Sequence, residues 1–178
     1  PGPIQAKVTS VQTYIEKLSY NFTGVNYFDI RKNRPMTRIL ETARDITRQA
    51  LPIKCVEAVF LATYLTQGLR ELERVPVSFK SQVDGNTYKH IILAVKHNSK
   101  WGAVGLSRRR ELYFKEMTFD SLGELFLEFK RSYERVFHTL KARSTRAARN
   151  ACDTRTARPC YHLLIVHVLT KHCHALCA

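Results

Sequence analysis

The amino-acid sequence predicts an α+β fold in which an apolar central helix packs on an antiparallel sheet, preceded by a helical part. Three observations carry that expectation. Helical periodicity runs through the first 68 residues, three β-rich runs separated by turn residues follow, and one long amphipathic helix closes the pattern near residue 141.

The first helix is read from VTSVQTYIEKLSY, where Val11, Tyr14, Ile15 and Leu18 recur at helical spacing until Asn21 to Gly24 ends the pattern. A polar connector with Arg31, Lys32, Arg34 and Pro35 comes next. The sequon Asn21-Phe22-Thr23 lies just upstream of it, a tripeptide common by chance and idle in a cytosolic chain. Met36, Ile39, Leu40, Ala43 and Ile46 mark a second amphipathic helix stopped by Pro52. A third runs from Cys55 to about Gly68, and its mostly apolar surface predicts central burial.

VPVSFK, TYKHIILAV and WGAVGLS then read as a meander turning at Asp84-Gly85 and at His97 to Lys100. A four-residue loop from His97 to Lys100 sets Lys96 opposite Trp101, so paired positions sum to 197 and His90 is expected opposite Ser107. Directly opposed residues share a sheet face with Cβ atoms roughly 5 Å apart. The last helix starts at Ser121 with the capping box Ser121-Leu122-Gly123-Glu124. Its stripe of Leu122, Leu125, Phe126, Phe129, Tyr133, Val136, Phe137 and Leu140 is core packing over five turns. The resulting division is a helical part over 1–50, a core over 51–141 and a basic tail with Cys and His over 142–178.

Composition is that of a packed protein, 44% hydrophobic, without collagen-like or low-complexity signatures. The net charge is +14, of which the first 140 residues hold 22 basic against 14 acidic side chains. A field of that sign attracts nucleic acid, anionic membrane surface or acidic polypeptide, and charge alone does not choose among them. No apolar run approaches the roughly 20 residues that span a bilayer. No secretory leader is legible either, and a cytosolic body is expected because four of the five cysteines lie in the last 27 residues. Cys152, Cys160, His162, His167, His172, Cys173, His174 and Cys177 invite a zinc reading, yet none shows Cys-x-x-Cys spacing. No metal and no cofactor are expected.

Cys55 is the one cysteine of the body, behind Pro52 and Lys54 at a helix start. Helix-start N–H groups and the Lys54 ammonium are expected to lower its thiol pKa. A buried structural cysteine is the competing reading. His90 and Ser107 follow on strands and complete the order Cys, His, Ser. A thiol protease needs a thiolate, an imidazole base and a group that holds the other ring nitrogen, for which Ser107 offers its hydroxyl or its carbonyl. Singly, His90 also fits a satisfied core histidine and Ser107 a strand-end hydroxyl. Lys54 and Arg108 add two cations beside the reacting centre, as a site holding a terminal carboxylate requires. A solvated run of Arg108, Arg109 and Arg110 is the alternative.

YNFTGVNYFDIRKNRP, LPIKCVEAVFLATYLTQ, LERVPVSFKS, KHIILAV and WGAVGLSRRREL together resemble the vasohibins, over about residues 8–141 in unbroken order. That resemblance implies a transglutaminase-like cysteine protease core that removes the C-terminal tyrosine of α-tubulin, with Cys55, His90 and Ser107 as triad. It further implies that Lys54 and Arg108 bind the terminal carboxylate and that Tyr20 frames the tyrosine pocket. Arg31, Lys32, Arg34 and Lys80 match the basic surface that receives the acidic tubulin tail, and the helical part is expected to bind the small vasohibin-binding protein. The implied location is cytoplasmic and microtubule-associated, with secretion a family possibility. Residues 142–178 depart from the family's continuation. A non-catalytic basic adaptor for microtubules or another polyanion, and transglutaminase-type acyl transfer on the same triad, are the other functions the residues admit; nucleic acid is not the expected partner.

Overall fold

The computed structural model describes residues 3–141 and the backbone of the short strand Val166–His167. Helices α1 (Pro3–Lys17), α2 (Met36–Gln49) and α3 (Cys55–Thr66) come first. Strands β1 (Glu73–Val83), β2 (Asn86–His97) and β3 (Lys100–Val104) follow, then a 3-10 turn (Arg110–Leu112) and β4 (Lys115–Phe119). Helix α4 (Leu122–Arg135), β5 (Thr139–Leu140) and β6 (Val166–His167) complete the order. The sheet runs β4-β3-β2-β1-β5, antiparallel throughout, with β6 beside β1 in parallel. The architecture is α+β, as its sequence pattern predicts.

The sheet is a wall between two cores, which explains why β2 reads as the unbroken run Ile91-Ile92-Leu93-Ala94-Val95 instead of an alternation. Ile91, Leu93 and Val95 face Val8 and Ile15 of α1 and Val59 and Ala62 of α3. Ile92 and Ala94 face Leu125, Phe129 and Tyr133 of α4 together with Phe79 and Leu112. Behind α3, Ile39 and Ala43 of α2 close on Phe60. Helix α3 is apolar on nearly every side because the sheet, α1 and α2 surround it.

Both hairpins turn in two residues. Asp84-Gly85 and Asn98-Ser99 have positive φ at both positions, the backbone of a tight turn whose twist matches the flanking strands. The β2–β3 loop is therefore shorter than the four residues expected, since His97 and Lys100 are themselves paired. The register is unaffected: Lys96 lies opposite Trp101 and Leu93 opposite Val104. There the ladder ends.

Three boundaries differ from the periodicity. α1 starts earlier, at Pro3, adding buried Ile4 ahead of Val8. β4 was not legible in the short polar run KEMTF; a register shift between Trp101 and Ala103 fits it to β3. α4 begins as its capping box requires, with the Glu124 N–H donating to Ser121 Oγ at 3.1 Å. It stops at Arg135, not Leu140, because Phe137 takes φ 62° and turns the chain so that Leu140 pairs with Ser81 on β1.

Gly102 marks the tightest approach in the sheet. A Cβ there would stand 2.7 Å from the Lys115 carbonyl oxygen and 2.8 Å from the Met117 nitrogen, both backbone atoms of β4. Gly102→Ala is expected to destabilise the fold by about 1–3 kcal/mol through displacement of β4. Chemical denaturation of the two proteins measures it.

Candidate active site

Cys55 opens α3, with Lys54 in extended backbone as the preceding cap residue. The approach to it is held by a short parallel bridge: the Asn21 N–H donates to the Ile53 carbonyl at 2.8 Å and the Ile53 N–H to the Ser19 carbonyl at 3.2 Å. Tyr20 is thus tied to the segment that leads into the nucleophile helix. The Cys55 sulfur is directed at β2, where the backbone N–H of Ile91 donates toward it. Burial pushes the thiol pKa up, against the lowering effects of the Ile91 N–H, the Lys32 ammonium and the Val56 N–H. This reverses the direction expected from a helix start alone. Desolvation of the thiolate outweighs the helix N–H groups, and the foremost cation acting on the sulfur is Lys32 and not its sequence neighbour Lys54.

His90 precedes Ile91 on β2, so the thiol lies against the strand one residue from the imidazole. Its Nε2 stands 2.7 Å from the Leu112 carbonyl oxygen. A carbonyl can only accept, so Nε2 carries the proton and Nδ1 is left with the lone pair a base needs. Burial pulls the imidazole pKa down to about 4, opposed by the bond to Leu112. His90 is therefore neutral through the physiological range.

The expected pairing of His90 with Ser107 is not formed. β3 ends at Val104, three residues short, because Gln12 of α1 captures the chain as it leaves the sheet. Gln12 Nε2 donates to the Gly105 carbonyl at 3.0 Å and the Gly105 N–H donates to Gln12 Oε1 at 3.1 Å, both buried. Ser107 Oγ instead accepts the Arg109 N–H at 3.4 Å. The imidazole's partner is a backbone carbonyl from the 3-10 turn, anchored by the buried Leu112 side chain in the α4 core.

Arg108, released from the sheet by the same departure, lies 5.6 Å from the Tyr20 ring centroid and hydrogen-bonds its phenol. Burial and the Cys55 charge nevertheless hold the Tyr20 pKa above its ordinary value. Tyr20, Arg108 and Cys55 thus form one cluster. Lys54 Nζ donates to the Gly24 carbonyl at 3.0 Å and to Asn26 Oδ1 at 2.8 Å. Two of its three N–H groups are occupied by the loop beside Tyr20.

The basic surface divides. Arg31 and Arg34 both pair with Asp29, at 2.6 and 3.1 Å, and Arg34 also reaches Thr42. Those guanidiniums hold the Asp29 carboxyl well below the usual range, the Arg31 hydrogen bonds first among the causes. Lys32 acts on Cys55, while Lys80 is exposed on β1 opposite Lys89.

Two further groups escape sequence reading. Glu57, two residues beyond Cys55, is 1% exposed and neither carboxyl oxygen has a hydrogen-bond partner among the described residues. Burial raises its pKa, opposed by the nearby backbone N–H groups of Glu57 and Lys54 and then by the Lys54 charge. Its charge adds to the burial that raises the Cys55 pKa. The Tyr133 hydroxyl is likewise buried without a partner among the described residues, its ring 5.6 Å from that of Phe79, the residue opposite His90. Among the described residues no cluster of three His, Cys, Asp or Glu side chains is placed to hold a metal, and the side chains of the zinc reading lie outside them. No helix of the described residues is long and apolar enough to cross a membrane.

The family model described as Vasohibin matches residues 2–153. The mouse (Mus musculus) protein Tubulinyl-Tyr carboxypeptidase 1 is 45% identical over 139 residues, covering 78% of this chain and 37% of its own length. The chain therefore spans little more than a third of that relative.

Alkylation of Cys55 by iodoacetamide, followed by peptide mass spectrometry, tests the electrostatics. Reaction goes through the thiolate, so a raised pKa predicts a rate still climbing as pH passes about 9, beyond the ordinary thiol value of about 8.5. Lys32→Ala removes a lowering charge and is expected to slow labelling roughly threefold at pH 8. A plateau below pH 8 contradicts the burial argument.

Proposed function

The chain belongs to the vasohibin family, and from that premise we propose that it is a cysteine-type carboxypeptidase releasing the C-terminal tyrosine of α-tubulin. The observation that carries the reading is the Nε2–H bond of His90 to the Leu112 carbonyl, which leaves Nδ1 as a base on the strand against which the Cys55 sulfur rests.

In the proposed reaction Nδ1 takes the Cys55 proton as the sulfur attacks the last peptide carbonyl. The imidazolium, held by Leu112, returns that proton to the leaving amine, and free tyrosine departs from a thioester. Water, deprotonated by the same Nδ1, then hydrolyses the thioester and restores the thiol. A raised thiol pKa and a depressed imidazole pKa make the resting pair neutral. The proton therefore moves when substrate binds.

Recognition follows from the cations around the sulfur. Arg108 and the remaining N–H of Lys54 would hold the terminal carboxylate, and the Tyr20 ring would stack on the departing side chain. Lys32 and Lys80 would guide the acidic tail, with Arg31 and Arg34 joining only as they exchange Asp29 for substrate carboxylates. Ser107 would serve by turning the chain that presents Arg108. The helical small vasohibin-binding protein is the partner proposed for the helical part, and cytoplasmic microtubules the place of action.

Mass spectrometry of a tyrosinated tubulin-tail peptide, with that partner present and absent, is the test. Cys55→Ala is expected to lower tyrosine release at least about a thousandfold. Unchanged release removes the thiol mechanism, and an amide or isopeptide product in place of free tyrosine reassigns the site to acyl transfer.

A further inference from the structure

We infer that Asn21 is a positioning residue: its side-chain amide folds residues 21–25 into the turn that sets Tyr20 and Lys54 beside the nucleophile, a turn that cannot form with a glycan on the sequon Asn21-Phe22-Thr23. Asn21 is 1% exposed. Its Nδ2 donates to the Val25 carbonyl at 2.8 Å, while its Oδ1 accepts the Thr23 N–H at 2.9 Å and the Thr23 hydroxyl at 2.7 Å. Its own N–H is the one that bonds the Ile53 carbonyl. Both ends of the side-chain amide are thus engaged in shaping one turn, while the backbone N–H ties that turn to the segment leading into α3.

The turn has two outputs. It presents the Gly24 carbonyl and Asn26 Oδ1 that hold the Lys54 ammonium, and it sets Phe22 edge-on against Tyr20 at 5.0 Å, on a ring that also faces Arg108 at 5.6 Å. Gly24 makes this geometry possible with φ 81°, a conformation that side-chain-bearing residues rarely adopt. The nucleophile itself does not depend on the turn in the same way, because Cys55 is carried by α3 and meets the Ile91 N–H on β2. Loss of the Asn21 amide should therefore loosen substrate-facing groups and leave the thiol in place.

The same bonds decide the sequon. A glycan on Nδ2 needs that nitrogen outside the turn with room for a sugar, and in the folded chain it is buried and donating to the Val25 carbonyl. The tripeptide is a structural turn.

The kinetic test rests on the carboxypeptidase reading and uses the full chain carrying Asn21→Asp, Thr23→Val or Thr23→Ser. Asn21→Asp replaces the donor facing the Val25 carbonyl with an acceptor, and Thr23→Val deletes the hydroxyl that Thr23→Ser keeps. Asn21→Asp and Thr23→Val should raise KM for the tubulin-tail peptide about tenfold, with kcat changed less than about threefold and Cys55 alkylation less than about twofold. Thr23→Ser should keep the wild-type KM. Unchanged KM in the first two variants, or a joint loss of kcat and alkylation, overturns the positioning role. If the wild-type chain releases no tyrosine, that reading fails by itself and the same pattern is read in the peptide's dissociation constant. The chain given a secretory leader supplies the second reading. Either no glycan-bearing molecules form, or those separated on a lectin bind the peptide at least about tenfold more weakly than glycan-free ones; equal affinity overturns the exclusion of a glycan by the turn.

Discussion

The hydrogen bond from His90 Nε2 to the Leu112 carbonyl is the constraint on which the rest of the site depends. It fixes the tautomer, and through the tautomer it decides which nitrogen can accept a proton. The carbonyl belongs to a turn whose Leu112 N–H is bonded back to the Arg109 carbonyl and whose side chain is buried among Leu125, Phe129 and Tyr133. Packing of α4 on one face of the sheet is thereby transmitted to the chemistry at its edge. A neutral carbonyl orients the ring without adding the charge that an aspartate would bring, consistent with an imidazole pKa as low as about 4.

The sheet's open edge supplies the space. β3 stops at Val104 because Gln12 binds both backbone groups of Gly105, and beyond that point β2 faces the Cys55 sulfur in place of a strand. The departing chain carries Arg108 to Tyr20. One departure from the ladder therefore exposes the base's strand to the nucleophile and delivers a guanidinium to the same place. Burial and the Glu57 charge disfavour the thiolate, and their counterweights are the Ile91 N–H, the Lys32 ammonium and the Val56 N–H. Arg31 and Arg34, by contrast, are committed to Asp29, so the strong positive charge of the chain overstates the cations available to an anionic substrate.

Much of this was legible in the sequence where local patterns decide it. Pro52 and the apolar run after Lys54 mark Cys55 as a helix start, and Ser121 with Glu124 marks α4. The β2–β3 register was right although the loop length was not, because a two-residue turn at Asn98-Ser99 and a four-residue loop from His97 to Lys100 share one centre. Extending that register to Ser107 failed for a long-range reason: Gln12 and Gly105 are 93 residues apart, and nothing local announces their contact. Leu112 was invisible for another reason, since its backbone carbonyl has no side-chain signature. The apolar stripe through Leu140 concealed the left-handed turn at Phe137, and helix-start reasoning misjudged the thiol because burial is a tertiary quantity.

Nitrogen-15 NMR of the imidazole of His90 reads the central constraint directly. The account predicts a proton on Nε2, an unprotonated Nδ1 and a titration midpoint near 4. A proton on Nδ1, or a midpoint at the ordinary histidine value of about 6.5, would contradict it.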